Sequence, residues 1–256
     1  MLRQAVPALA LLAFGYAANL HAADLTMRFV YDGKPPKPKP IEIRADKNYF
    51  ADKQIVDESL LVHPENRGIA NVAVYLYTGR RAVKPPPTPH QPRTVELTTK
   101  DGRLLPRIAA ARVGDTIQVN NEDEVGHNFN FSFFNNPPVG YTIAPNEPQR
   151  RLIKETEPAP VPVSCNIHPW PRAYLICVDH PYVGVSDENG VVTIKDLPKG
   201  LDLTFRVFHE SFAKFENVNL NGQMVKWPRR LFTQTFSADD FDMGTVTLKP
   251  DQFKSE

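Results

Sequence analysis

The sequence predicts an all-β protein, a Greek-key β-sandwich followed by a smaller β-sandwich, and three observations carry that reading. Apolar and polar residues alternate with period two through 25–31, 71–77, 94–98, 116–120 and 127–133, the pattern of strands that bury one face. Long amphipathic helical patterns are missing; only 52–61 and 237–241 suit a short helical turn, so parallel α/β folds are excluded. Of the 25 prolines, 12 cluster at 34–40, 84–92 and 157–162, where they break regular structure and favour extended segments. With 41% hydrophobic residues and 15 Phe, the chain still has enough apolar volume for one or two packed cores.

Taken in order, the chain opens with Arg3, an apolar run over 5–18, and small residues around Ala22 and Ala23. This reads as a secretory signal peptide over 1–22, cleaved after Ala22, and places the mature protein in the periplasm or outside the cell. The run is too short and carries Pro7, so no membrane span is expected after cleavage. Residues 23–180 read as the first sandwich, with 25–31 and 72–77 as early strands, 116–120 and 127–133 as later ones, and a hairpin around Cys165 closing it. From Pro181 the strands shorten between clear turns at 187–190, 197–200 and Asn221-Gly222, which marks a second β-domain over 181–256. Phe205, Trp227 and Phe232 are its candidate core, and His209-Glu210 reads as structural because no third ligand is adjacent.

Charge narrows the partners. Thirty basic and 29 acidic residues leave a net charge of +1, and no basic cluster is interleaved with aromatics, so no nucleic-acid partner is predicted. No G-x-S-x-G elbow, H-E-x-x-H pair or glycine-rich phosphate loop is present, and the reading is not that of an enzyme.

The chemistry lies in Gly126-His127-Asn128 and, some forty residues on, Cys165-Asn166-Ile167-His168-Pro169-Trp170. One His on a strand, with a Cys and a His flanking the loop between two later strands, brings two imidazoles and one thiolate together on rigid scaffold. That donor set suits one copper ion in both oxidation states and so one-electron transfer. Each residue alone is bland: a His after glycine is commonly just hydrogen-bonded, and two Cys in an exported protein commonly pair. The pairing geometry argues against a disulfide. If the loop closes near Tyr174, Cys177 lies about 10 Å along the partner strand and on the other face, beyond the roughly 7 Å that a disulfide spans. Cys177 then reads as a buried strand residue. Of the seven His, His63, His90, His180 and His209 are isolated, which predicts no second copper centre.

The segments NNEDEVGHN (120–128) and CNIHPWPRAY (165–174) resemble the ligand segments of cupredoxins, the blue-copper proteins. More widely, Val56-Asp57-Glu58-Ser59-Leu60, residues 69–76, Phe134-Asn135-Asn136-Pro137-Pro138 and Asp179-His180-Pro181-Tyr182 resemble secreted bacterial proteins, common in planctomycetes, that join a cupredoxin-like domain to a carboxypeptidase-regulatory-like, prealbumin-like β-domain. The resemblance implies His127, Cys165 and His168 as equatorial copper ligands. The axial Met of many such sites does not carry over: Ala173 and Pro171 stand at the two places where relatives carry it, and the Gly126 carbonyl is the remaining axial candidate. Arg103 and Arg107 stand where relatives often carry a Cys and a His, so no further metal role is expected there. Asn128 is the candidate to tie the two ligand segments together. His168, Pro169 and Trp170 are expected to form the solvent edge of the site, with Pro169 and Trp170 as an apolar docking patch for a redox partner protein. Two other readings stay open: a metal-free secreted module that contacts cell envelope or carbohydrate, and copper storage or delivery.

Overall fold

The computed structural model describes residues 22–254, so the signal-peptide reading of 1–22 lies, but for Ala22, outside the described residues. Strands dominate, as the alternation predicts. The helical pieces are one turn at Lys47–Phe50 and 3-10 turns at Pro228–Arg230 and Pro250–Gln252. Of the two segments proposed for helical turns, 52–61 is irregular and 237–241 runs into the strand Asp240–Leu248. Among the described residues no helix is long and apolar enough to cross a membrane.

One sandwich packs a four-stranded sheet against a five-stranded sheet. The first runs Arg103–Leu105, Thr94–Lys100, Thr116–Asn121, Gln149–Leu152 in spatial order; the second runs Ile108–Arg112, Arg172–Val178, Val161–Cys165, His127–Phe131, Val139–Ile143. The chain switches sheets repeatedly, which makes Thr94–Lys100 parallel to Thr116–Asn121 and Ile108–Arg112 parallel to Arg172–Val178. Between the sheets lie Leu97, Ile117, Val119, Phe129, Phe131, Val163, Leu175 and both cysteines. His127, Phe129 and Phe131 point inward and Asn128 and Asn130 outward, the two-residue period made physical.

The second sandwich corrects the expected strand assignment. Ala22–Tyr31, read as opening the first sandwich, pairs antiparallel with Val191–Pro198 and parallel with Asp240–Leu248. Ala73–Leu76 likewise pairs with Val183–Val185 and Asp202–Phe208. The first sandwich is therefore built from residues between 94 and 178 and sits between strands of the second. The reason is burial: Leu25, Met27 and Phe29 complete a core with Val74, Leu76, Phe205, Val207, Phe232 and Trp227. Alternation shows that a strand has a buried face and says nothing of which core that face joins.

The two sandwiches meet sheet on sheet. Ala73 and Tyr75 from one side pack against Ile108, Ile176 and Val178 from the other. This explains why residues 174–178 read as a continuous apolar run: Leu175 and Cys177 face the first core while Ile176 and Val178 face the second sandwich. Arg107 forks onto Glu210 across the junction, at 2.6 Å and 2.9 Å, with both side chains almost fully buried.

Before the first sandwich begins, residues 39–57 leave the second and fold over the end of the first. The Ile41 N–H donates to the Ile55 carbonyl at 3.0 Å and the Asp57 N–H to the Lys39 carbonyl at 2.8 Å, closing the base of this strap. Phe50 and Ile55 anchor its tip in a small apolar cluster with Trp170.

Candidate metal centre

Three separate pieces of one sheet end bring the donors together. His127 opens its strand, Cys165 ends the next one opposite Phe129, and His168 sits in the short loop before Arg172–Val178. The Nδ1 atoms of His127 and His168 face each other at 3.3 Å, Cys165 Sγ lies 3.9 Å from His168 Nδ1, and all three donor atoms fall within 4.8 Å of one another. His127 and His168 are fully buried and Cys165 is nearly so.

Two facing nitrogen lone pairs repel unless a proton or a cation lies between them, so the pair is arranged around something positive. Donors bonded at about 2.0–2.3 Å to one ion would stand about 3.5–4 Å apart, close to the 3.3 Å and 3.9 Å that His168 Nδ1 makes with His127 Nδ1 and Cys165 Sγ. The ring nitrogens that face away are both engaged. His127 Nε2 donates to Asp123 Oδ2 at 3.0 Å, and His168 Nε2 donates to Asp46 Oδ2 at 2.7 Å. A carboxylate only accepts, so each Nε2 carries the hydrogen and each Nδ1 is left to bind.

The thiol is prepared in the same way. The backbone N–H groups of Asn128 and His168 donate to Sγ at 3.3 Å and 3.4 Å. Burial pushes the Cys165 thiol up, but His127 and these N–H donors outweigh it and hold it below the ordinary thiol value. Burial likewise depresses both imidazoles. Asp123 and Cys165 more than reverse this for His127, which ends above its ordinary value, whereas Asp46 only partly offsets it for His168. Asn128 bridges the two ligand segments: its side-chain oxygen accepts from Asn166 Nδ2 at 2.6 Å and its carbonyl from the Asn166 N–H at 2.8 Å.

Asp123 is the hub beneath His127. Burial alone raises its carboxyl, yet donors from His127, Thr99, Tyr49 and the Gly102 N–H bring it down to about 2. Neither Asp123 nor Asp46 was legible as a site residue in the sequence. Asp123 stands four residues before His127 in a loop without a readable period, and Asp46 comes from 122 residues away in the strap.

The solvent edge is corrected. His168 lies under the strap, and Trp170 is only 7% exposed, packed edge-on against Phe50 at 5.4 Å and beside the His168 ring at 5.1 Å. Trp170 is thus core to the strap cluster and no part of an exposed docking patch; Pro169, Asn166 and Ile167 are what this loop shows to solvent. Ala173 is fully buried inside the first sandwich, opposite Val163 in the ladder. Gly126 directly precedes the His127 strand, and a side chain there would meet nothing nearer than the Ile143 carbonyl at 3.8 Å.

Both cysteines are free. Ser164 pairs with Arg172, so position 171 faces Cys165 and Cys177 lies six residues further along, about 20 Å at 3.3 Å per residue. That is farther than the sequence geometry suggested, and the two thiols face one core rather than opposite faces. Burial pushes the Cys177 thiol well up, which leaves it inert.

Fold and site together define an all-β sandwich protein with a closed donor set of two imidazoles and one thiol. No protein-family model matches the chain, and no curated protein matches it. Among solved structures, part of the chain is similar to a Cu-containing nitrite reductase (NirK) from Thermus scotoductus SA-01, with 18% identity and a TM-score of 0.31 over 38% of this chain and 25% of that one. Another similarity is to amicyanin, in the Cu(I) structure of one of its mutants, with 15% identity and a TM-score of 0.29 over 33% of this chain and 81% of that one. The chain thus spans a quarter of the nitrite reductase's length.

Proposed function

We propose that this is an exported, cupredoxin-like protein that binds one copper ion through His127, Cys165 and His168 and passes single electrons. The observation that supports it is the convergence of His127 Nδ1, His168 Nδ1 and Cys165 Sγ within 4.8 Å, with both Nε2 atoms occupied elsewhere. Copper would supply the one-electron couple; the protein's residues hold it, orient it and keep water away. His127 and Cys165 sit on paired strands and His168 is wedged between Phe50 and Trp170, so the donors have little freedom to rearrange between oxidation states. Should a fourth donor be needed, the carbonyl of Gly126, next to His127 in the chain, would be the candidate to supply it.

Enclosure argues for a resident ion over an exchangeable cargo, since the strap would have to lift before His168 met another protein. Pro169, Asn166 and Ile167 remain the surface through which a redox partner would approach. Adding Cu(II) to the reduced mature protein is expected to give an intense visible thiolate-to-copper absorption in a one-to-one titration, abolished in Cys165→Ser. A folded, colourless wild-type protein would overturn the reading and leave a metal-free β-sandwich module.

A further inference from the structure

Both imidazoles of the donor set are backed by carboxylates that come from outside the strands carrying the ligands. Asp123 is fully enclosed and also gathers Thr99 Oγ1 at 2.6 Å, Tyr49 OH at 3.1 Å and the Gly102 N–H at 3.2 Å. Asp46 is half open to solvent on the outer side of the strap, yet its Oδ2 reaches the buried His168 Nε2. Its backbone is held left-handed, at φ 47° and ψ 42°, a conformation that an L-residue keeps only where its surroundings impose it. The surroundings do: the Asp46 carbonyl accepts from the Tyr49 and Phe50 N–H groups, and Phe50 is buried against His168 and Trp170. Among the described residues, no Lys or Arg pairs with either carboxylate, and the only ion pair each forms is with its histidine.

Two negative charges one imidazole away from a metal ion favour its higher charge state. Coulomb attraction to a doubly charged ion is twice that to a singly charged one; it is weakly screened from the enclosed Asp123 and more strongly from Asp46, whose carboxylate is half open to solvent. We infer that Asp46 and Asp123 are positioning residues that lock both imidazoles as Nδ1 donors and bias the centre toward the oxidised copper ion, with the strap delivering one half of this pair. The inference rests on the copper reading above for its redox half; the tautomer half stands on the metal-free protein alone.

The test separates charge from hydrogen bonding. Asp46→Asn keeps an acceptor oxygen and removes the charge, whereas Asp46→Ala removes both. In metal-free protein at neutral pH, nitrogen-15 NMR of the His168 ring is expected to show hydrogen on Nε2 in wild type and Asp46→Asn, and a mixture in Asp46→Ala. In copper titrations against competing chelators, Asp46→Asn is expected to weaken Cu(II) roughly 10–100-fold, the usual range for loss of a metal-ligand partner. Cu(I) affinity should change less, so the reduction potential rises. Hydrogen found on His168 Nδ1 in wild type, or an unchanged ratio of Cu(II) to Cu(I) affinity in Asp46→Asn, would overturn the inference. Should wild type bind no copper at all, the proposed function fails, and the NMR result still decides whether Asp46 sets the ring. Asp123→Asn serves as a second arm where it folds, with the same direction of shift.

Discussion

His180 and His209 lie far from the donor set in their chemistry, yet both are buried as neutral rings. His180 Nε2 donates to the Leu76 carbonyl at 3.0 Å while its Nδ1 accepts the Tyr182 N–H at 3.2 Å; His209 Nδ1 accepts the Ser211 N–H at 3.2 Å. A second proton on either ring would remove that acceptor, and burial holds His180 down at about 4 and His209 at about 3. Unfolded, both titrate near 6.5, so the unfolded chain takes up protons first as pH falls. Their contribution is complete above about pH 6.5 and is lost progressively toward pH 4, by about 3 kcal/mol for His180 alone. Urea denaturation of the metal-free protein between pH 7 and 4 should show that slope, and His180→Gln should flatten it. The same residues show what spacing can reveal. His127, Cys165 and His168 were legible as a set because ligand chemistry asks for those types at that spacing, and the structure brings them together, whereas His180 and His209, isolated in sequence, are buried and hydrogen-bonded to backbone groups.

The strap is the element that the sequence hid most completely. Its proline-rich flank and short apolar residues carry no period, and its meaning comes only from where it lies, across His168 and Trp170. Gly102 is its seat. With φ at +71°, it donates its N–H to Asp123, and a side chain there would stand 2.6 Å from Ile55 Cδ1 and 3.0 Å from Trp170 Nε1. Gly102→Ala should therefore combine backbone strain with overpacking and cost about 1–3 kcal/mol. Denaturant midpoints would measure the loss, and faster hydrogen exchange at the Tyr49 and Phe50 amides would show that the strap is what loosens. Unchanged exchange there would mean that the strap is held without this contact. The strands themselves were far easier to read. The alternation of Phe129 and Phe131 with Asn128 and Asn130 states which face is buried, whereas the burial of both faces of Arg172–Val178 came from the structure.

The two sandwiches are joined by apolar packing and by one buried ion pair. Arg107 and Glu210 are each desolvated, and either alone would be a buried charge without a counter-ion. Removing one partner of such a pair typically costs about 3–5 kcal/mol. Glu210→Gln is expected to lower the denaturation midpoint by that order and to weaken the coupling between the sandwiches, seen as separate unfolding transitions by calorimetry; a single unshifted transition would show that the apolar contact of Tyr75 with Ile108, Ile176 and Val178 suffices alone. The chain's path makes this coupling matter. Because the first sandwich is entered from and returns to strands of the second, the strap that carries Asp46 is tied at one end to Ala22–Tyr31 of the second sandwich.

What the sequence determined by itself was everything encoded by local period or by ligand chemistry: the all-β class, the inward faces of the strands and the donor trio. What tertiary structure decided was everything that depends on contacts between distant segments. The N-terminal strand joined the second core because a two-residue alternation is the same whichever core it fills. Trp170 turned inward and Asp46 came to His168 because burial of Phe50 drew the strap over the site, and no pattern along the chain records which surface a strap will cover.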